Sequence, residues 1–288
     1  MSLPSPHSDL PAALAARPSE HNQLASRFAR IAVHAGATVM RIYEAGATAR
    51  FKLDASPVCD ADEAAEALIL AELRLLAPDI PVLAEEAAAR GDKPVLDGRF
   101  LLVDPVDGTK EFLSRNGEFT VNIALIEHGV ATAGAVYAPA LGKLWFAGDQ
   151  AFACQVAPGA RLEAATEWRE LHTRAAPPTG LVVMASRSHA DAQTETYLAG
   201  LPVAERQTAG SSLKFCAIAE GVADLYPRFG PTMEWDTGAG DAVLRAAGGV
   251  VLALDGVPMR YGKRNTEFRN GGFTAWGRAH DAARFASA

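Results

Sequence analysis

One short segment, residues 104–109 (DPVDGT), constrains the fold of this chain more than any other stretch. The apolar run before it, residues 99–103, predicts a buried strand that ends at Asp104. Pro105 fixes φ and removes a backbone donor, so the chain is expected to turn there. Residues 108–113 then predict a short helix, whose free N–H groups suit an anion. The fold must therefore accommodate a strand, a turn and a helix with two carboxylates at their junction.

Those two carboxylates conflict with an anion site unless a cation lies between them. Asp104 and Asp107 repel each other and would repel a phosphate, which raises carboxyl pKa values or drives the groups apart. A divalent cation removes the conflict, and a set of oxygen ligands favours a hard ion such as Mg²⁺. The alternative for this segment alone is a proline turn capped by an Asp.

The first half of the chain reads as an α+β unit. Residues 1–18, rich in Pro, Ala and Ser and without the pattern of a signal peptide, are expected to form a disordered extension. Apolar residues at helical spacing predict helices over 21–44 and 61–76, and a short strand is predicted at 81–84. Four apolar runs, 119–126, 130–137, 143–146 and 151–156, predict an antiparallel meander. We place this domain at 19–176.

The second half, 177–288, reads as an α/β unit. A polar stretch at 157–178 that ends in two prolines is the best candidate for a domain boundary. Beyond it, strands predicted at 181–185, 203–207, 222–225 and 250–254 alternate with helices that begin near residues 190, 211 and 236.

Charge and cysteine usage limit the classes of function. The 27 Lys and Arg against 34 Asp and Glu give a net charge of −7, which argues against a nucleic-acid or anionic-membrane surface. No apolar run is long enough to span a bilayer, although peripheral membrane association is left open. The three cysteines match neither a zinc pattern nor a disulfide framework, so we expect a cytoplasmic protein. Both a monomer and a homodimer fit the sequence.

Three further acids stand at the ends of predicted elements. Asp62 lies in the first turn of the helix at 61–76, Glu85 follows the strand at 81–84, and Asp236 opens the helix near 236. Each alone could be an ordinary helix cap. Capping does not require the acids to converge, however, and acids supplied by separate segments together indicate a metal site.

Four separated motifs, in order and spacing, resemble those of the inositol monophosphatase superfamily of metal-dependent, lithium-sensitive phosphatases. They are residues 57–62 (PVCDAD), 84–86 (AEE), 104–109 (DPVDGT) and 235–237 (WDT). Four motifs in register are far more specific than one. The resemblance covers nearly the whole chain after Glu20 and implies the layered αβαβα architecture of that superfamily, a mixed α+β and α/β fold.

The resemblance also implies roles for individual residues. It assigns two or three Mg²⁺ ions, with Mn²⁺ as a possible substitute, to Glu85, Asp104, Asp107, Asp236 and the carbonyl of Val106. These groups would also face the substrate, and Gly108 and Thr109 would hold its phosphate. Glu85 is the candidate for activating water, aided by a Thr109–Asp62 pair. Three departures from the family pattern, Cys59, Ala84 and Ala87 in place of Thr, Gly and Ser, remove no proposed ligand.

A fifth region indicates the substrate. Residues 209–216 (AGSSLKFC) and 219–232 (AEGVADLYPRFGPT) resemble the bacterial 3′(2′),5′-bisphosphate nucleotidase branch of the superfamily. Ser211 at a helix start, Lys214 and Arg228 would meet a second phosphate. The alternatives are a simple cap for Ser211 and a solvated face for Lys214.

That resemblance implies hydrolysis of 3′-phosphoadenosine 5′-phosphate (PAP) to AMP and phosphate, a reaction that relieves product build-up in sulfate assimilation. The sulfated nucleotide PAPS is a possible second substrate. An inositol monophosphatase or a sugar-phosphate phosphatase is the alternative enzyme. A catalytically inactive metal- or nucleotide-binding regulator is a further alternative, disfavoured because every proposed ligand is present.

Overall fold

The structure is a computed structural model that describes residues 19–46, 50–51, 57–186 and 192–286. The predicted disordered extension at 1–18 lies outside these residues. Within them, no helix has the length and apolar character needed to cross a membrane.

A seven-stranded sheet forms the frame of the first half. Its strands follow chain order: β3 (Val82–Ala84), β4 (Arg99–Asp107), β5 (Thr120–Glu127), β6 (Val130–Ala138), β7 (Lys143–Ala147), β8 (Ala151–Gln155) and β9 (Thr166–Glu170). The first pair is parallel and all the others are antiparallel, which confirms the predicted meander. β9 was not predicted, because its side chains are largely exposed and its sequence is polar.

Two long helices cover one face of this sheet. They are α1 (Glu20–Ala45) and α2 (Asp60–Leu76), close to their predicted bounds, with the two-stranded hairpin β1 (Arg50–Phe51) and β2 (Pro57–Val58) between them. Phe28 and Ile69 from the helices share one core with Val103 and Ile123 from the sheet. The burial of these apolar faces fixes the helices on the sheet.

A five-stranded sheet forms the frame of the second half. Its order is β11 (Val203–Ala209), β10 (Leu181–Ser186), β12 (Leu225–Arg228), β16 (Phe273–Trp276) and β14 (Val250–Ala253). β10 runs parallel to both neighbours, and β16 is antiparallel to both of its own. A separate small ladder pairs β13 (Thr232–Met233) with β15 (Arg269–Asn270).

Helices α6 (Leu213–Ala219) and α7 (Glu234–Ala246) contribute to the core shared by the two sheets. In this core, Phe215 and Val243 pack with Ala124 of the first sheet and Phe273 of the second. Helices α5 (Ala192–Ala199) and α8 (Ala279–Ala286) cover the outer face of the second sheet. The order of layers is therefore αβαβα, as expected from the resemblance.

Close packing of α7 on the first sheet depends on small residues. A Cβ at Gly238 would lie 2.8 Å from Leu102, and one at Gly240 would lie 2.6 Å from the Phe215 ring. A larger side chain at Gly238 would push α7 away from the sheet, and one at Gly240 would push it away from α6. The glycines thus fix where the first turn of α7, which carries Asp236, meets the strand ends.

Two sequence predictions need correction, and two elements were missed. β4 does not end at Asp104 but continues to Asp107, with one extra residue in the ladder between them, because Pro105 has no N–H to donate. The strand predicted at 222–225 is β12, which begins at Leu225, and Val222 is exposed in the turn before it. β16 and α8 were not predicted at all.

Candidate active site

A cavity of about 260 Å³ lies where β3, β4 and α7 meet. Two short helices begin at its edge: α3 (Glu85–Ala89) directly after β3, and α4 (Thr109–Leu113) directly after β4. Ten of the residues singled out from the sequence line this cavity: Glu85, Asp104, Val106, Asp107, Gly108, Thr109, Ser211, Lys214, Arg228 and Asp236. Their convergence is a property of the fold, and their roles stay predictions.

The ends of β3 and β4 deliver three of the acids. These strands are parallel, with Ala84 opposite Val103, so Glu85 and Asp104 leave the same edge of the sheet. The Val106 N–H donates to Asp104 Oδ1 at 3.1 Å, which holds that carboxylate across the extra residue of the ladder. Asp107 then follows within the same strand.

Asp236 reaches the cavity from α7. The helix begins at Glu234, two residues earlier than predicted, so Asp236 lies in the first turn and does not open the helix. Its Oδ2 accepts the Met233 N–H at 2.9 Å, which caps the helix. The capping explanation and the convergence of acids therefore both hold for this residue.

Asp62 lies behind the cavity and does not line it. Its side chain is buried at the start of α2, where Oδ2 accepts the Cys59 backbone N–H at 2.8 Å and the Cys59 thiol at 3.0 Å. Its Oδ1 accepts the Thr109 hydroxyl at 3.4 Å. The expected Thr109–Asp62 pair is present in the structure, and Cys59 donates to Asp62 as a hydroxyl would.

The acids of the cavity, of which Asp104 is buried and Asp107 and Asp236 are half-buried, destabilise one another's charges. Burial, reinforced by the charges of Glu85, Asp107 and Asp236, raises the pKa of Asp104 well above its usual range. Burial and the charges of Asp107 and Glu85 likewise raise the pKa of Asp236. The pKa of Asp107 is raised to about 6 by burial, against the opposing charge of Lys214. A bound cation would offset this repulsion.

Lys214 is a buried cation, not part of a solvated face. It is 5% exposed, and its Nζ donates to the Ala209 carbonyl at 3.2 Å and to the Ser211 carbonyl at 2.5 Å. Burial lowers its pKa to about 8, although the charge of Asp107 opposes that shift. Arg228 is also buried, and its guanidinium donates to the carbonyls of Gly230 and Pro231.

The prediction that a helix begins at Ser211 is wrong. α6 begins at Leu213 with Ser212 as its N-cap, and Ser211 lies in a left-handed turn with φ of 44°. The Lys214 ammonium bonds to the two carbonyls that flank Gly210, which stabilises this unusual backbone. Ser211 is therefore available to the cavity from a turn and not from a helix.

The family of the chain follows from comparison with known proteins. A profile of the inositol monophosphatase family matches residues 21–284. The chain belongs to this family. It is 46% identical over 246 residues to a 3′(2′),5′-bisphosphate nucleotidase CysQ of Escherichia coli, covering 85% of this chain and 96% of that one. A CysQ of Salmonella typhimurium is 45% identical with the same coverage.

Solved structures of the inositol monophosphatase family share the fold. The crystal structure of CysQ from Bacteroides thetaiotaomicron has a TM-score of 0.72 and 39% identity, with 88% of this chain and 96% of that chain covered. An IMPase of Thermotoga maritima has a TM-score of 0.69 at 20% identity, covering 92% of this chain and 95% of its own. Enzymes of this family are generally metal-dependent phosphatases, and this chain is a phosphatase of the family.

The chemistry of the cavity fits the metal dependence of the inositol monophosphatase family. Its acids offer only oxygen donors, which suit a hard cation. In the described part of the chain, no three Asp, Glu, His or Cys side chains form a tight metal-binding cluster. Mg²⁺ does not require such a cage, because it keeps several waters and binds through one or two carboxylates and substrate phosphates. Mutual pKa shifts among the acids favour the same interpretation.

Two polar residues beneath the cavity were missed in the sequence. They are Thr120 and Asn122, both buried on β5, and Ser212 at the start of α6 is buried beside Asn122. A signal was available: Thr and Asn at alternate positions interrupt an otherwise apolar strand on one face. That pattern marks polar groups pointing into a site at the end of a buried strand.

Proposed function

We propose that this phosphatase is a Mg²⁺-dependent 3′(2′),5′-bisphosphate nucleotidase that hydrolyses PAP to AMP and phosphate. The observation that carries the proposal is the composition of the cavity. It combines the acids Glu85, Asp104, Asp107 and Asp236 with the two buried cations Lys214 and Arg228. A substrate with a single phosphate would need only the acidic part and its metals. A second phosphate accounts for the cations.

The acidic part is assigned to the reacting 3′-phosphate. Asp104, Asp107, Asp236, Glu85 and the Val106 carbonyl would hold Mg²⁺. When bound, Mg²⁺ supplies a Lewis acid for the phosphoryl oxygens and makes a nearby water more acidic. Of these residues, Glu85 is the proposed acceptor of the proton that the attacking water loses.

The turn after β4 is assigned to orienting the same phosphate. Gly108 has φ of 90° and caps α4, so its backbone adopts a conformation that an L-residue rarely tolerates. Thr109 lines the cavity, and its hydroxyl lies 3.4 Å from two acceptors, Asp62 Oδ1 and the Val106 carbonyl. We assign to these two residues the placing of phosphoryl oxygens, with Asp62 orienting the Thr109 hydroxyl.

The cationic part is assigned to the 5′-phosphate. An ammonium has three donors, and two of those on Lys214 are used by backbone carbonyls, so one remains for a phosphate oxygen. Arg228 adds charge beside it, since the charge of Arg228 lowers the pKa of Lys214. The Ser211 hydroxyl would contact the same phosphate. The similarity to CysQ nucleotidases of several bacteria supports this assignment.

Product analysis tests the proposal. Purified protein is incubated with PAP and Mg²⁺, and the nucleotides are separated by chromatography. We expect AMP and one equivalent of phosphate, with no turnover when EDTA replaces Mg²⁺. Formation of adenosine 3′-phosphate, or turnover in EDTA, would contradict the assignment. Faster hydrolysis of inositol 1-phosphate than of PAP would instead favour the inositol monophosphatase alternative.

A further inference from the structure

The geometry points to Asn122 and Ser212 as positioning residues that hold the two sides of the metal site together. One side is Asp107 on β4, and the other is the first turn of α7 with Asp236. The inference rests on the proposed metal-binding role of these acids. It goes further in assigning a function to two buried residues that do not line the cavity.

The register of the first sheet places Asn122 beside the acids. Asn122 pairs with Asp104 across the β4–β5 ladder, and Thr120 pairs with Asp107. Asn122 and Ala124, two residues apart, therefore point to the same face, which is the face that packs against α6 and α7. Asn122 is 1% exposed, so its amide must find its partners within the protein.

A continuous chain of hydrogen bonds then crosses between the two sides. Asn122 Nδ2 donates to Asp107 Oδ2 at 3.4 Å and to Ser212 Oγ at 3.1 Å. Ser212 Oγ in turn donates to the Asp236 backbone carbonyl at 2.9 Å. One amide and one hydroxyl thus connect a carboxylate of β4 to the backbone of a second acid on α7.

The orientation of the amide is set by Asp107. With Nδ2 toward the carboxylate, Asn122 Oδ1 has no hydrogen-bond partner among the described residues, which is a cost for a buried oxygen. The reversed amide would place that oxygen against the Asp107 carboxylate, where two acceptors would repel. Asn122 therefore presents a donor to the Asp107 carboxylate and helps to fix its position.

The Ser212 hydroxyl is likewise used for the connection between the two sides. As the N-cap of α6 it makes no side-chain cap hydrogen bond, although a Ser at this position usually caps. Its hydroxyl is used between Asn122 and Asp236 instead. The neighbouring Ser211 is held separately, since its Oγ accepts the Thr120 hydroxyl at 3.2 Å.

The test measures Mg²⁺ binding without turnover. The melting temperature of each protein is followed as Mg²⁺ is added, and the midpoint of the rise gives an apparent affinity. The variants are Asn122→Ala, Ser212→Ala and the double variant, with Ser212→Thr retaining the hydroxyl. Asn22→Ala is the matched control: Asn22 is also a buried, hydrogen-bonded Asn, but it lies on α1 and accepts the Asp149 N–H at 2.9 Å.

We expect each alanine variant to need about tenfold more Mg²⁺ at the midpoint, which is the usual effect of removing a group that orients a metal ligand. The double variant should need little more than the worse single variant, because both residues act in one chain. Ser212→Thr should restore binding, and Asn22→Ala should lower the melting temperature while leaving the Mg²⁺ midpoint unchanged.

If Asn122→Ala and Ser212→Ala lower the melting temperature as Asn22→Ala does but keep the parent Mg²⁺ midpoint, the two residues serve only packing and the inference is wrong. If the parent protein itself shows no rise in melting temperature with Mg²⁺, the proposed metal dependence is wrong, and the inference that rests on it is wrong with it.

Discussion

Replacing Lys214 with methionine separates the two phosphate subsites. Methionine retains most of the aliphatic stem, so Lys214→Met removes the ammonium from a residue that is 5% exposed without opening a large cavity. The reacting phosphate is assigned to Mg²⁺ and the turn at Gly108 and Thr109, whereas the hydrogen bonds of Lys214 go to the carbonyls of Ala209 and Ser211. We therefore expect the loss to fall on substrates that carry a second phosphate.

The size of the loss follows from the contacts of Lys214. Two of its three ammonium protons are donated to the carbonyls of Ala209 and Ser211, which leaves one for the 5′-phosphate. One hydrogen bond to a charged group is worth about 1.5–3 kcal/mol. The kcat/KM for PAP should therefore fall by about tenfold to about a hundredfold.

The assay compares PAP with adenosine 3′-phosphate, which lacks only the 5′-phosphate. The kcat/KM for adenosine 3′-phosphate should change by less than about threefold, since it makes no use of Lys214. Lys110→Met is the matched control, because Lys110 lines the same cavity but is exposed. This control variant should lower kcat/KM slightly and by the same factor for both substrates. The melting temperature of each variant shows whether a loss of activity comes instead from destabilising the turn at Ser211.

An equal loss for both substrates would refute this reasoning. Lys214 would then support the reacting centre or the fold, and its two bonds to backbone carbonyls would be its whole function. A loss confined to PAP but matched by Lys110→Met would show a general effect of positive charge and no specific subsite.

Three further predictions concern the metal and the cations. Asp107→Asn should lower turnover at saturating Mg²⁺ by more than about tenfold, because an amide is a poorer ligand than a carboxylate. The melting temperature of this variant without Mg²⁺ should not fall, since repulsion among the acids is relieved. Turnover within tenfold of the parent would count against the site. The ratio of kcat/KM for PAP to that for adenosine 3′-phosphate should decline as pH rises through about 8. Burial lowers the pKa of Lys214 to about 8, so the cation is lost above that pH. A ratio that stays flat up to pH 9 would contradict this assignment. Millimolar Li⁺ should inhibit PAP hydrolysis, as the resemblance to lithium-sensitive phosphatases implies, since a monovalent ion cannot stabilise leaving-group charge as Mg²⁺ does; undiminished rates would weaken the assignment to the nucleotidase branch.

Local patterns were sufficient to predict much of this fold. Helical spacing of apolar residues predicted α1 and α2 almost to the residue, and alternating runs predicted the meander. β9 and β16 were missed for opposite reasons. β9 is polar and exposed at a sheet edge. β16 is a short, fully buried strand, and its pairing with β12 and β14 depends on distant segments. Such pairing is a tertiary property that local propensity does not encode.

The acids of the cavity could be predicted because each stands at the end of an element. Their motifs were specific enough to anticipate that Glu85, Asp104 and Asp236 converge. The surroundings of Lys214 could not be predicted, because burial depends on how α6 packs on both sheets. The polar alternation of Thr120 and Asn122 was visible in the sequence, but the role of Asn122 was not, because that role depends on its partner across the sheet and on Ser212.

The central claim is that one cavity binds a substrate with two phosphates, and a single ratio tests it. Phosphate release by the purified protein at saturating Mg²⁺ gives kcat/KM for PAP and for inositol 1-phosphate under identical conditions. The buried pair Lys214 and Arg228 predicts that PAP is preferred by at least about tenfold, the value of one charge-assisted contact. Equal values, or a preference for inositol 1-phosphate, would contradict the assignment of the cations to a second phosphate.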